Sequence, residues 1–372
     1  MGRNKFLSKS TLFKVHGWVG IKLSILFFIV CFSGTLAVFS HEMDWLFNPN
    51  MRAIPTEKLA SRNLVVKNLK EVFPDGQLRY WERSREPYLT DILHVYKNGK
   101  RTFVFVNQYT GDIQGMAGLT IQRFFRDLHY YLFIPNQVGH FIVLFFGFVL
   151  LISLITGVLY YKDWYKKLFL LHIGKGSRAF YSSLHKLVGA WSVPFMALIA
   201  ITGIWYFIER TDFPEISAYM DNERPTVKKQ GIDFEKHIEH LNYDTCITIA
   251  QNAIPDLQVK SILVPSRPTQ SIYLTGQSNV PLVRDRANRV FIDPYTYNVL
   301  KAQKAKEIST ATWLNDIADP LHFGYWGGLL TKSIWFIFGL GLSSLILTGP
   351  WLYLKRRMNL SRSIKKRKLI HG

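Results

Sequence analysis

The sequence predicts a membrane protein, mainly α-helical, whose four transmembrane helices form a tandem duplication. Three observations carry this prediction: four long apolar runs, basic residues concentrated at one side of them, and an internal repeat that matches the first half of the chain to the second. Each repeat is predicted to contain a helix, then a water-exposed α+β domain, then a second helix. With 372 residues, 48% of them hydrophobic, the chain has enough apolar side chains for both parts.

The four apolar runs cover residues 17–40, 139–161, 187–208 and 331–354. Each is 22 to 24 residues long, and about 20 helical residues cross a hydrocarbon layer of ~30 Å. A helix satisfies its backbone polar groups internally, as lipid requires. We therefore predict four transmembrane segments, the second and fourth beginning with an interfacial stretch: 16–41, 129–161, 185–208 and 322–354.

The net charge of +20 lies mostly in three short stretches that flank the same ends of these helices. The stretches are a basic N-terminus over 1–15, a basic loop over 162–184 and a basic tail over 355–372. Because basic residues are retained on the cytoplasmic side, both termini and the loop are predicted to be cytoplasmic, and segments 42–128 and 209–321 to lie outside. The charge therefore indicates contact with anionic lipid in the bilayer and argues against nucleic acid as a partner.

The internal repeat aligns helix one with helix three and helix two with helix four. Four matches define it, first copy with second copy: HGWVG at 16–20 with HKLVG at 185–189, SG at 33–34 with TG at 202–203, LH at 128–129 with LH at 321–322, and TG at 156–157 with TG at 348–349. Outside the membrane, VFVNQYTGDI at 104–113 aligns with VFIDPYTYNV at 290–299. Each of these two segments has the pattern of a strand, a turn and a second strand, which predicts two small α+β domains.

Four of the eleven histidines superpose under the repeat, namely His16, His185, His129 and His322. The first two are predicted near the cytoplasmic face and the last two near the outer face, so we expect one pair at each depth. Two imidazoles on neighbouring helices are suited to axial ligation of haem iron. Zinc usually needs four ligands, and a proton relay usually needs intramembrane carboxylates, which the four runs lack. His140, which the repeat does not match, is the alternative ligand near the outer face.

Several segments together resemble the PepSY-associated transmembrane family. They are HGWVG followed by SGTLAVF, SLHKLVGAW, PLHFGYWGG and TGPWLYLKRR in the helical parts, with VFVNQYTGDIQG and VFIDPYTYNVLK similar to the ends of PepSY domains. The resemblance covers nearly the whole chain and implies a location in the bacterial inner membrane. That family includes haem b-containing reductases associated with iron uptake, some of which reduce ferric siderophores. By resemblance, the four repeat-matched histidines occupy the family's recurring histidine positions.

The sequence therefore favours a transmembrane electron conduit with two haems b, one at each histidine pair. A cytoplasmic flavin or flavoprotein would donate the electron, since no nicotinamide-binding extension resembling a ferredoxin reductase is present, and a periplasmic ferric siderophore would accept it. Two alternatives stay open. The first is a non-enzymatic membrane anchor whose PepSY domains bind or regulate a periplasmic partner. The second is a transporter for iron or a siderophore.

Overall fold

The computed structural model describes residues 8–212, 215–220 and 223–371, with the backbone alone at 360 and 362–371. Residues 1–7 of the basic N-terminus and most of the basic tail therefore lie outside the described side chains. The chain divides into two compact units. The helical unit comprises the described residues up to Phe39, Phe125–Thr211 and those from Leu321 onward, and the sheet unit comprises Ser40–Phe124 and Asp212–Pro320.

Twelve α-helices and eight strands are found in the described part of the chain. The helices are α1 Lys9–Lys22, α2 Ser24–Val38, α3 Ser40–Phe47, α4 Arg62–Val72, α5 Ile121–Tyr131, α6 Val138–Tyr160, α7 Ser177–Trp191, α8 Val193–Thr211, α9 Phe234–Glu239, α10 Tyr243–Ala253, α11 Thr310–Phe323 and α12 Gly328–His371. The strands are β1 Gln77–Glu82, β2 Asp91–Lys97, β3 Lys100–Val106, β4 Ile113–Ala117, β5 Gln258–Leu263, β6 Ile272–Gln277, β7 Asn288–Ile292 and β8 Val299–Gln303.

Three described helices are long and apolar enough to cross a membrane: α6, α8 and the Gly328–Asn359 part of α12. Helices α1 and α2 meet this test only together, and they are bent by 71° at Leu23. The chain is thus a membrane protein with three candidate spans, or four if the bent pair is one span. The first predicted span, over 16–41, therefore corresponds to this bent pair of helices.

Both odd-numbered predicted spans are interrupted at the same place in the repeat. Leu23 separates α1 from α2 and Ser192 separates α7 from α8, 169 residues apart, which is also the spacing of His16 and His185. At the first break the Ser24 hydroxyl donates to the Ile21 carbonyl, which competes with the backbone ladder. At the second, Pro194 has no N–H to donate to the preceding turn.

The eight strands form one antiparallel sheet with the order β4-β3-β2-β1-β5-β6-β7-β8. Ser40–Phe124 and Asp212–Pro320 each contribute a helix followed by four consecutive strands, α4 with β1–β4 and α10 with β5–β8. The two predicted α+β domains are therefore two halves of a single unit. They meet where β1 pairs with β5, with Trp81 opposite Ile262. This pairing satisfies backbone groups that each half alone would leave at an open sheet edge.

Helices α4 and α10 cap each other across this junction. The Asp244 carboxylate accepts the backbone N–H groups of Arg62, at 2.7 Å, and of Asn63, at 3.2 Å. In return the Asn63 side-chain oxygen accepts the Tyr243 N–H at 2.8 Å. Each helix N-terminus thus finds hydrogen-bond partners in the other half, which orders the two halves relative to each other.

Candidate functional site

The helical unit brings the four repeat-matched histidines together in two pairs. His16 of α1 and His185 of α7 have ring centroids 6.4 Å apart, and we call them the first pair. His129 of α5 and His322 of α11 have ring centroids 6.2 Å apart, and we call them the second pair. These pairs combine the residues that the sequence analysis put at one depth. In each pair one histidine comes from each repeat.

In the first pair both Nδ1 atoms have hydrogen-bond partners on a neighbouring helix. His16 Nδ1 lies 3.1 Å from the Ser153 carbonyl oxygen and 3.3 Å from Thr156 Oγ1, both on α6. His185 Nδ1 lies 2.8 Å from Thr348 Oγ1 on α12. These contacts fix the orientation of both imidazoles through Nδ1, the ring nitrogen nearer to Cβ.

In the second pair each Nδ1 atom also contacts a neighbouring helix, but one of the two partners is a backbone carbonyl alone. His322 Nδ1 lies 2.8 Å from Thr202 Oγ1 on α8. His129 Nδ1 instead lies 2.8 Å from the backbone carbonyl oxygen of Val30 on α2. The repeat places Ser33 where the second copy has Thr202, and the Ser33 hydroxyl donates to that same Val30 carbonyl at 3.0 Å.

The hydrogen-bond directions set the imidazole tautomer. A hydroxyl has one proton, and each of the three threonines donates it to a helix carbonyl, so its oxygen accepts from the histidine. The acceptors of the threonine protons are Ile152 at 2.7 Å from Thr156, Leu198 at 2.8 Å from Thr202, and Ser344 at 2.8 Å from Thr348. The Ser153 and Val30 carbonyls, which contact His16 and His129, can only accept, so all four histidines carry their proton on Nδ1. No described residue hydrogen-bonds to their Nε2 atoms, which keep a lone pair for a metal.

Glycines next to these partners leave room for the rings. A Cβ added at Gly34 would lie 2.7 Å from the Nδ1 and Cε1 atoms of His129. A Cβ at Gly157 would lie 3.3 Å from His16, and one at Gly349 would lie 3.8 Å from His185. The close approach of His129 to α2 thus depends on the missing side chain at Gly34.

The pair separations fit one metal atom between two imidazoles. With metal–nitrogen bonds of about 2.0 Å and a ring centre about 1.1 Å beyond the nitrogen, two rings on opposite sides of a metal would have centroids roughly 6.2 Å apart. The observed 6.4 and 6.2 Å agree with this value. Within the described ranges no group of three or more His, Cys, Asp or Glu side chains is arranged to hold a metal ion. Two imidazoles suit haem, because the macrocycle supplies the remaining iron ligands.

The alternative ligand His140 belongs to neither pair. It is 6% exposed at the start of α6, and its ring packs edge-on against Tyr130 with centroids 4.1 Å apart. Tyr130 follows His129 in α5 and also lies under the Arg126 guanidinium, 6.0 Å away. The contacts of His140 are those of a buried packing residue beside the second pair.

A cavity of about 580 Å³ opens in the sheet unit, where the two halves meet. Its lining includes three cationic side chains, Arg79, Lys97 and Arg224, and one carboxylate, Asp75, which lies 3.0 Å from Lys97. Burial lowers the pKa of Arg224 below its usual value, although its guanidinium also donates to the Ser271 carbonyl. The volume suits a small molecule, and the net positive lining favours an anionic one.

The sequence indicated that glycines of the SG and TG dipeptides could leave room for a porphyrin edge, but it assigned no role to their serine and threonine hydroxyls. In the structure, residues of three of the four dipeptides hydrogen-bond a histidine Nδ1, and the fourth supplies Gly34 against His129. Their recurrence at equivalent places in both copies was the signal available. This recurrence did not reveal which histidine each dipeptide contacts, because the contacts depend on how the helices pack against one another.

The family model described as "PepSY-associated TM region" matches residues 13–356 of the chain. No curated protein matches the chain. The matched range contains all four paired histidines and all four dipeptides.

Proposed function

Because the chain belongs to the PepSY-associated TM family, we propose that it is a di-haem b electron-transfer protein that reduces a periplasmic acceptor. The acceptor class that fits best is Fe(III) held in a ferric siderophore. The observation that carries the proposal is the pairing of four histidines at 6.4 and 6.2 Å with every Nδ1 occupied and every Nε2 available.

Haem b held at the two pairs would supply one-electron transfer between the two sides of the membrane. The residues of the chain hold each imidazole in the tautomer that ligation needs. For each Fe(III) reduced to Fe(II), one electron leaves a reduced flavin or flavoprotein on the cytoplasmic side. Fe(II) binds hard oxygen ligands more weakly, so reduction favours release of the iron from its chelator.

The proposal includes a topology. It takes α1 with α2 as one bent span, which gives four spans, both termini in the cytoplasm and the sheet unit in the periplasm. The basic loop and tail support this orientation by the positive-inside rule. The first pair then lies toward the cytoplasm and the second pair toward the periplasm, in a bacterial inner membrane.

The test is the absorption spectrum of the protein purified in detergent from haem-replete cells, with haem b counted per chain. We expect two haems in the wild type, one in His322→Ala and one in His185→Ala. His140→Ala is the matched control, because it removes a buried histidine beside the second pair and should keep both haems. Two haems in His322→Ala would refute the assignment of the second pair.

The cavity of the sheet unit favours a second candidate, a membrane anchor whose sheet unit binds an anionic periplasmic partner without redox chemistry. It predicts a colourless protein and histidine pairs that tolerate alanine. The same purification therefore separates the two functions.

A further inference from the structure

We infer that the hydroxyls of Thr202 and Thr348 are positioning groups that set the reduction potentials of the two histidine-bound sites, one hydroxyl for each pair. This inference rests on the proposed haem function. It concerns residues that touch neither the acceptor nor the reacting iron, and it assigns a role to the dipeptide repeat.

The hydrogen bonds of the four histidines form a graded series. His185 and His322 each have a threonine hydroxyl as the one acceptor for Nδ1–H among the described residues. His16 has two acceptors, the Thr156 hydroxyl and the Ser153 carbonyl. His129 has a backbone carbonyl alone. A side-chain substitution can thus remove the acceptor completely in two cases, partly in one and not at all in the last.

Each acceptor acts on its ligand through the ring. An acceptor on Nδ1–H gives the imidazole more anionic character, and this makes Nε2 a stronger donor to ferric iron. A stronger donor stabilises the oxidised metal and lowers the reduction potential. Loss of the acceptor therefore raises the potential of the site to which that histidine belongs. It also leaves a buried N–H unpaired, which weakens ligation.

The Nδ1 hydrogen bonds and the ring contacts of the histidines are distributed differently between the two repeats. Every Nδ1 partner lies in the same repeat as its histidine. The acceptor is on α6 for the histidine of α1, on α2 for that of α5, on α12 for that of α7 and on α8 for that of α11. Every ring partner lies in the other repeat. Each repeat thus orients one ligand for each site, and a change of one threonine should affect one site alone.

The experiment is a spectroscopic redox titration of the purified full-length protein, comparing Thr202→Val, Thr202→Ser, Thr348→Val and Ser33→Ala. Valine keeps the shape of threonine without the hydroxyl. Serine restores the hydroxyl. Ser33→Ala is the matched control, because it removes a hydroxyl at the repeat-equivalent position while His129 keeps the Val30 carbonyl.

We expect Thr202→Val to raise the midpoint potential of one haem and Thr348→Val to raise that of the other, with the second haem unchanged in each variant. Thr202→Ser and Ser33→Ala should titrate like the wild type. Loss of one haem in Thr202→Val, with retention in Thr202→Ser, would also support the inference. Two haems with wild-type potentials in both valine variants would overturn it and leave the proposed function intact. A wild-type protein without haem would instead refute the proposed function.

Discussion

The substitution Gly34→Ala tests how closely the second pair is packed. A Cβ at this position would lie 2.7 Å from two atoms of the His129 ring, whereas carbon atoms in good contact are about 3.5 Å apart or more. The imidazole must therefore move by roughly 0.8 Å. Metal–ligand distances vary by only about 0.2 Å, so this movement is too large for ligation to survive unchanged.

The expected energetic effect follows from overpacking, which costs about 1–3 kcal/mol. If the strain is relieved when the ligand leaves, haem affinity at the second pair falls roughly 5- to 150-fold. Helix propensity acts in the opposite direction, since alanine stabilises a helix interior by up to about 1 kcal/mol relative to glycine. A loss of haem in Gly34→Ala would therefore not reflect a weaker α2.

The assay is haem content per chain together with haem release during gel filtration, for three glycine variants. Gly157→Ala and Gly349→Ala are graded controls, because their added Cβ atoms lie 3.3 and 3.8 Å from the facing histidines. We expect Gly34→Ala to lose one haem, Gly157→Ala to be mildly affected and Gly349→Ala to keep both. Two firmly held haems in Gly34→Ala, or the greatest loss in Gly349→Ala, would refute the reasoning.

Two further predictions concern the sheet unit. Asp244→Ala removes the carboxylate that accepts two N–H groups of α4 and should cost about 1–2 kcal/mol, seen as a lower thermal midpoint, whereas Asp244→Asn keeps an acceptor and should lose less. Asp91→Ala should cost about 3–5 kcal/mol, because Asp91 is fully buried and its removal leaves the Arg62 guanidinium, now 2.6 Å away, without its carboxylate. A thermal midpoint within one degree of wild type in Asp91→Ala would contradict that account.

The membrane part of the fold was largely predictable because it depends on local properties. Long apolar runs determine where helices can cross. Helix α6 begins at Val138, one residue before its predicted run, and α12 begins at Gly328, three residues before its run. The break at Leu23 was missed, since neither glycine nor proline marks it. It depends on the Ser24 hydroxyl and on packing, which periodicity does not record.

The joining of the two halves of the sheet unit was not predictable from either half. Each half has the strand pattern of an independent domain, and strand pairing across about 180 residues leaves no local signal in a sequence. Only the folded chain places β1 beside β5, where each covers an edge that the other would leave open.

The same division applies to the candidate site. The repeat singled out His16, His185, His129 and His322, and their predicted depths gave the pairing that the ring distances of 6.4 and 6.2 Å now show. The tertiary structure decided everything about orientation: which Nδ1 meets Thr202 or Thr348, which meets a carbonyl, and that Gly34 must lack a side chain. The physical reason is that hydrogen-bond geometry depends on helix rotation and separation, which arise from packing between segments far apart in the chain.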